Sequence, residues 1–247
     1  EEQAKLTAEG RAPHWRFRLD NVGPGGGLQP EHTNVAWDDL IRGTQTVDLG
    51  SLSDPVLIRA DGTFLYTFTS VVDDIDFGIT HIIRGEDHVT NTGVQVDLFR
   101  ALGATPPSFA HHALLTASGD LKMSKRSGDM ALMGSRDLEP MAVASYVALI
   151  GTSDAIEPLR SIAHLAERLD LSHVSTSAAR FDLQELRALN ARFLHATPFA
   201  EVAERLAAMG VGGGEAFWLA IRGNVTVLAD AKEWWDVVGG EMAPVVE

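Results

Sequence analysis

Hydrophobic and polar positions alternate at the start of the chain. Trp15, Phe17 and Leu19 interleave with Arg16, Arg18 and Asp20, the period-2 pattern of a half-buried strand. Residues 1–10 before it read as the end of a helix stopped by Gly10, and a chain that opens mid-helix without Met reads as a fragment. Asn21 to Asn34 is a long loop rich in Gly and Pro. Strand-like runs follow at 35–41, 44–49 and 56–59, with Asp61-Gly62 as a turn, so residues 11–68 read as a small β-rich module. Phe64–Phe68 is predicted as a strand, with Tyr66 on the face of Phe64 and Phe68, and Ser70–Asp76 as a short helix.

The pattern then changes. Ile79–Arg84 is an apolar strand with a polar end. Thr90–Leu102 is a helix capped by Thr90, apolar along Val94, Leu98 and Leu102, and stopped by Gly103. Phe109–Leu115 is the next strand. Strand, helix and strand at this spacing predict a βαβ unit in a parallel sheet, whose ligands bind at the carboxyl ends of strands. From residue 135 the period is helical. Helices are expected from Glu139-Pro140 to Ile150, at 161–169, at 182–195 capped by Asp182, at 198–209 with Thr197 as cap and Pro198 in the first turn, and at 214–222 and 226–238. Trp218, Trp234 and Trp235 fall on these helices and are expected to pack them together. The class is α/β, with short helix–helix links that favour a compact array.

Composition narrows the function. The 247 residues contain no cysteine and carry a net charge of -14, shared equally between residues 1–130 and 131–247. Disulfides and thiolate metal sites are excluded. No apolar run reaches membrane length and no signal pattern opens the chain, so a soluble cytoplasmic protein is expected. Neither half is basic, so a polyanion would be met through local clusters.

One such cluster is Lys122-Met123-Ser124-Lys125-Arg126, three cations in five residues between turn-forming segments. Its lysines can act as movable point charges on phosphates, or the segment can be a solvated turn. Arg84-Gly85-Glu86-Asp87-His88 follows a predicted strand, where the fork of Arg84 suits a carboxylate or phosphate, against a plain surface Arg–Asp pair. Tyr66, by its alternation with Phe64 and Phe68, reads as a core tyrosine with its hydroxyl satisfied. Asp73, Asp74 and Asp76 lack a calcium-loop pattern and read as helix-end carboxylates. His111 and His112 point to opposite faces of a strand and cannot share one ion, and no metal is assigned.

Taken in order, these segments resemble the bacterial glutamyl-tRNA synthetases, a family of class I aminoacyl-tRNA synthetases. The resemblance rests on Asp61-Gly62-Thr63-Phe64-Leu65-Tyr66, Ser70 to Asp74, Gly78 to His88, Asn91-Thr92-Gly93, His112 to Leu115, Lys122 to Arg126, Arg180 to Leu183 and Leu189-Asn190. Lys122–Arg126 matches the second class I signature. The resemblance implies the second half of a Rossmann-like nucleotide-binding domain, with a β-rich insertion before it and an α-helical region after it. On that plan residues 1–71 are part of the tRNA acceptor-binding insertion and 72–120 the second half of the nucleotide-binding fold. Residues 121–197 hold the signature loop and stem-contact region, and 198–247 begin the anticodon-binding region.

The implied reaction joins glutamate to tRNA(Glu) through a glutamyl adenylate made from ATP with Mg2+. Lys125 and Lys122 would serve catalysis. Lys125, Ser124, Met123, Asp87 and His88 would bind ATP, and Tyr66, Ser70 and Arg84 would bind glutamate. Ser70 stands where some relatives have asparagine. The first signature, of the His-Ile-Gly-His type, has no counterpart in the chain, so the chain alone is not expected to form adenylate, and its sheet is expected to leave an open edge. Without cysteine, the zinc site of some relatives is not expected. A monomer is expected. The alternatives are a glutaminyl-type enzyme and a non-catalytic tRNA-binding module.

Overall fold

The structure is a computed structural model that describes residues 2–20, 33–116 and 137–239. The chain divides into two units, Glu1–Leu114 and Leu115–Glu247.

In the first unit, α1 (Glu2–Ala8) ends ahead of Gly10, whose φ of 77° only glycine adopts freely. Strand β1 (Trp15–Arg16) is far shorter than the alternation predicts. It pairs antiparallel with β4 (Val56–Ile58), with a register shift between its two residues. Beyond it side chains satisfy the backbone in place of a ladder: Leu19 N–H donates to Asp54 Oδ1 and Asp20 N–H to Asp97 Oδ2. Phe17 and Leu19 still turn inward, while Trp15 is exposed.

The main sheet contains β2 (Asn34–Asp39), β3 (Gly43–Asp48), β5 (His81–Gly85) and β6 (Ser108–His112), in the order β3-β2-β6-β5. Strands β2 and β3 form an antiparallel hairpin, and β2, β6 and β5 run parallel. Residues 11–68 are therefore no self-contained module, because their hairpin shares a sheet with the predicted βαβ unit. That unit is present: α3 (Val89–Ala101) crosses from β5 to β6. The crossover helix is not amphipathic, since every residue from Thr92 to Phe99 is buried, while Leu102 is exposed. Gly93 shows why: a Cβ there would sit 2.7 Å from Val47 Cβ, so the helix backbone lies directly on β3.

Phe64–Phe68 is a second correction. It is no strand, because α2 spans Tyr66–Asp76. Phe64 makes one bridge to Ile58 and Leu65 N–H reaches Leu57 O. The Phe68 and Thr69 N–H groups then turn back onto Leu65 O. Phe64, Phe68, Val71 and Ile75 recur at four, three and four residues, which is a helical stripe read too early as alternation. The Phe64 and Phe68 rings stack at 5.9 Å, and Tyr66 leaves their face.

The second unit holds α4 (Pro140–Leu149), α5 (Ile162–Arg168), α6 (Leu183–His195), α7 (Phe199–Ala208), α8 (Gly214–Ile221) and α9 (Asp230–Gly239). A short parallel pair joins β7 (Leu115–Thr116) to β8 (Ala179–Arg180). Asp182 caps α6 as expected, accepting from Gln184 N–H at 2.8 Å. Thr197 does not cap α7. Pro198 takes the cap position, and the Thr197 hydroxyl donates back to Phe193 O at 2.8 Å. Helix α9 starts four residues later than expected, because the Asp230 carboxylate binds the N–H groups of Thr226 and Val227 and holds them in a turn. Trp218 is fully buried and Trp235 packs against the same core, but Trp234 is 40% exposed.

Candidate active site

Asp39 closes β2, Arg84 stands one residue before the end of β5, and His111 one before the end of β6. The three residues thus share the carboxyl end of the parallel strands, where such sheets bind ligands. Register places Arg84 directly beside His111.

Arg84 is half-buried and fixed on several sides. Its Nε–H donates to His111 Nε2 at 3.3 Å and one Nη1–H to the Tyr66 hydroxyl at 3.1 Å. Nη2 donates to Thr92 Oγ1 at 2.5 Å and Gln95 Oε1 at 2.6 Å. The guanidinium carbon lies 5.7 Å from the centre of the Phe109 ring. Every acceptor is neutral, and among the described residues Arg84 forms no salt bridge. The carboxyl of Asp74 on α2 is raised in pKa, first by burial and also by Asp73, against the opposing field of Arg84. Such a cation is poised for an anion from outside.

Helix α2 delivers Tyr66 at its first turn and Ser70 one turn later. Because Tyr66 Oη accepts from Arg84, its own proton is free to donate towards the same point. Ser70 does not reach Arg84. Its hydroxyl accepts from Gln95 Nε2 at 2.8 Å, so it orients the amide whose oxygen holds the guanidinium. The His88 ring meets the Tyr66 ring edge-on at 5.8 Å, and its Nδ1 accepts from Asn91 Nδ2. The His88 carbonyl lies 3.1 Å from Thr92 Oγ1. Asp87 is exposed beside Gly85, where an added Cβ would stand 2.7 Å from Asp87 Oδ1. Glu86 turns away to Arg42, at 2.7 Å.

Tyr66, Ser70, Arg84 and His88 therefore come together, with Asp87 at the margin. Lys122, Met123, Ser124, Lys125 and Arg126 lie outside the described residues. Sequence reasoning missed Asp39, His111, Thr92 and Gln95. All four are buried polar residues, and for Thr92 and Gln95 the stripe of Val94 and Leu98 concealed that α3 is buried on its other faces too. A helix buried all round must find partners for each polar side chain it carries.

His111 Nδ1 faces Asp39 Oδ2 at 2.5 Å, deep between strands. Burial pushes Asp39 up, but hydrogen bonds from the His111 ring and from the N–H groups of His111, Arg42 and Ile41 outweigh it and hold the carboxyl below its ordinary pKa. Burial pushes His111 below its ordinary value, aided by Arg84 and His88 and opposed by Asp39. The pair is thus a carboxylate and a neutral imidazole. Among the described residues no group of three or more His, Asp or Glu side chains is placed to hold a metal ion.

Known proteins share this arrangement of chain. The family described as tRNA synthetases class I (E and Q), catalytic domain, matches residues 27–188. Glutamate–tRNA ligase 1 of Brucella canis and that of Brucella suis are each 54% identical over 245 residues, covering 98% of this chain and 53% of theirs. The chain spans about half the length of the curated relatives it matches. The crystal structure of a glutamate tRNA ligase from Elizabethkingia meningosepticum, in complex with its amino acid, superposes with a TM-score of 0.73 at 27% identity, over 94% of this chain and 50% of that one. The glutamate-tRNA synthetase of Elizabethkingia anophelis gives 0.75 at 26% identity, over 99% and 53%. A catalytic-domain match over residues 27–188, joined to relatives at this identity, establishes that the chain belongs to the class I tRNA synthetases of the E and Q type.

Proposed function

We propose that this chain serves the attachment of glutamate to tRNA(Glu) through a glutamyl adenylate, with Arg84 and Tyr66 holding the side-chain carboxylate of glutamate. One observation carries the reading: Arg84 is a half-buried guanidinium held by four neutral acceptors, beside a tyrosine hydroxyl free to donate. An anionic substrate supplies the missing charge, whereas the neutral amide of glutamine leaves the cation unpaired. The names of the relatives, glutamate–tRNA ligases, support the same substrate.

In this reading the α-carboxylate of glutamate attacks the α-phosphorus of ATP and pyrophosphate leaves. A ribose hydroxyl of the terminal adenosine of tRNA then takes the glutamyl group and releases AMP. Arg84 and Tyr66 orient the amino acid, Ser70 holds Gln95 behind them, and Asp87 and His88 face the adenosine. Lys125, with Lys122, Ser124 and Met123, would screen phosphate charge as it develops. Magnesium would enter on the ATP phosphates, in keeping with its habit of binding through substrate oxygens. No helix among the described residues is long and apolar enough to cross a membrane, and work in the cytoplasm on translation fits this reading.

The test is amino-acid-dependent ATP–pyrophosphate exchange by the polypeptide that carries this sequence at its natural full length. Glutamate is expected to support exchange and glutamine to fail. Arg84→Ala should raise the KM for glutamate roughly 100-fold, about 3 kcal/mol for a buried charged contact, with the KM for ATP little changed. Equal use of glutamine, or an unaltered KM in the variant, would overturn the assignment. Binding of tRNA without any amino-acid activation would favour a tRNA-binding module instead.

A further inference from the structure

Arg84 does not hold its own position. Two of its acceptors, Thr92 and Gln95, sit on α3, and the third side of the guanidinium rests on His111 Nε2. That nitrogen can accept from Arg84 only with a bare lone pair. The tautomer of a fully buried imidazole decides this, and Asp39 decides the tautomer.

Asp39 on one ring nitrogen and the Arg84 Nε–H donor on the other select the tautomer. Asp39 Oδ1 accepts three backbone N–H groups, from Ile41 at 3.1 Å, Arg42 at 3.0 Å and His111 at 3.0 Å. Oδ2 faces His111 Nδ1 at 2.5 Å and the Trp37 indole N–H at 3.5 Å. A carboxylate oxygen only accepts, so Nδ1 carries the proton and Nε2 is bare. Nε2 then meets Arg84 Nε–H and the Thr92 hydroxyl at 2.9 Å. A second proton on the ring would put an N–H against the guanidinium. The ring packs against Trp37, centred 6.3 Å away, and is stacked on Phe109 at 6.2 Å.

We infer that Asp39 and His111 are positioning residues for the substrate carboxylate: Asp39 fixes the Nδ1–H tautomer of His111, whose bare Nε2 holds Arg84 in its binding orientation. This rests on the function proposed above, in which Arg84 receives the carboxylate. It also separates the pair from simple glue between β2 and β6, which would work with either tautomer.

Asp39→Asn tests the inference sharply. The three backbone N–H groups require an oxygen at the Oδ1 place, so the new amide nitrogen must occupy the Oδ2 place and donate to His111 Nδ1. The ring is forced into the Nε2–H tautomer, and Arg84 loses its acceptor and meets a donor. The nearly isosteric change leaves volume untouched.

The experiment labels histidine and arginine with 15N in the polypeptide that carries this sequence at its natural full length. In the wild type, His111 is expected to show a protonated Nδ1, a bare Nε2, and a nuclear Overhauser contact between Arg84 Nε–H and the His111 ring. In Asp39→Asn the protonation pattern should reverse and that contact vanish. At natural full length the same variant should raise the KM for glutamate at least about tenfold and the KM for ATP by less than about threefold. A wild-type ring that is cationic or protonated on Nε2 near pH 7.5 overturns the inference, and needs no variant to fold. So does a reversed ring that leaves the Arg84 contact or the glutamate KM unchanged. The spectra use no substrate. Failure of the wild type to activate glutamate counts against the proposed function, while the spectra alone judge Asp39 and His111.

Discussion

At the scale of single residues, the site is a chain of alternating character: carboxylate, neutral ring, cation, hydroxyl. Its weak point is the ring. The folded state holds His111 below its ordinary pKa of 6.5, so the unfolded chain binds more protons there as pH falls. Stability therefore rises with pH through that window and is lost as pH drops below about 6.5. Asp39, also lowered, adds a second loss at more acid pH, below its ordinary 3.8. The exposed His173 runs the other way, since the hydrogen bond that its ring donates to Asp154 raises it, and its contribution is present below 6.5 and fades as pH rises through its folded value. The local effect is best read at the His111 amide, which donates to Asp39 Oδ1. Its hydrogen-exchange protection, corrected for intrinsic rate, should fall between about pH 7 and pH 5. Protection that stays flat or rises would show that the ring is not held neutral by its surroundings. This also explains what could be seen in advance. Arg84, Tyr66 and Ser70 stand within 19 residues of one another and carry recognisable chemistry. Asp39 lies 72 residues from His111, and no local pattern links them. Only the sheet order, with β2 next to β6, brings them together.

Among the elements, the second unit shows how polar groups fix helix order. Tyr146 on α4 is fully buried, and its hydroxyl accepts from Asp182 N–H at 3.0 Å while facing Asp182 O and Glu185 Oε2 at 3.1 and 3.0 Å. It ties α4 to the start of α6. Glu139, before α4, takes a two-pronged bond from Arg205 on α7, at 2.8 Å on each oxygen. Its N–H donates to Asn190 on α6, whose amide reaches on to Thr226 O. Burial pushes the Tyr146 hydroxyl up to about 12, with Glu185 adding to it and the Asp182 backbone opposing. Removing the hydroxyl in Tyr146→Phe leaves the Asp182 N–H short of an acceptor and should cost about 1–2 kcal/mol near neutral pH, read as a lower urea midpoint at unchanged slope. The difference must shrink in alkali. A folded pKa above 10 means that the unfolded chain loses its proton first, so wild-type stability drops between about pH 10 and 12 through a term the variant lacks. A wild-type advantage that grows in alkali would contradict the burial argument. The helices here were legible because their punctuation is local: Ser161 and Asp182 cap, Gly151 and Gly210 stop. The start of α2 was not, since Phe64, Tyr66 and Phe68 satisfy two periods at once and only the return of Phe68 N–H to Leu65 O selects the helix.

For the molecule as a whole, charge and apolar surface pull against each other. Strand β5 is the last in its sheet and pairs, among the described residues, with β6 alone. Beside it Phe77 is 80% exposed, Ile83 55% and Ile79 42%. An apolar, one-sided edge is a template for pairing with another chain. Opposing this is a net charge of -14 with an acidic excess in both halves, which makes any two copies repel over a Debye length of about 10 Å at 0.1 M salt. The two terms respond oppositely to salt. Added sodium chloride screens the repulsion and leaves the apolar attraction in place, so self-association of the isolated chain should increase between about 0.05 M and 0.5 M salt. Contacts made by ion pairs would weaken over the same range. Placing a cation on the edge tells whether this surface is responsible: Phe77→Lys with Ile79→Lys should reduce association at high salt, in line with the lysines that natural sheets carry on their open edges. Sedimentation velocity at two salt concentrations reads both effects. Association that falls with salt, or that ignores the double substitution, would place the sticky surface away from β5. The 15N signals of the His111 ring serve as the control, because Phe77 and Ile79 lie outside the Asp39–His111–Arg84 chain and their loss from the edge should leave its tautomer as it was.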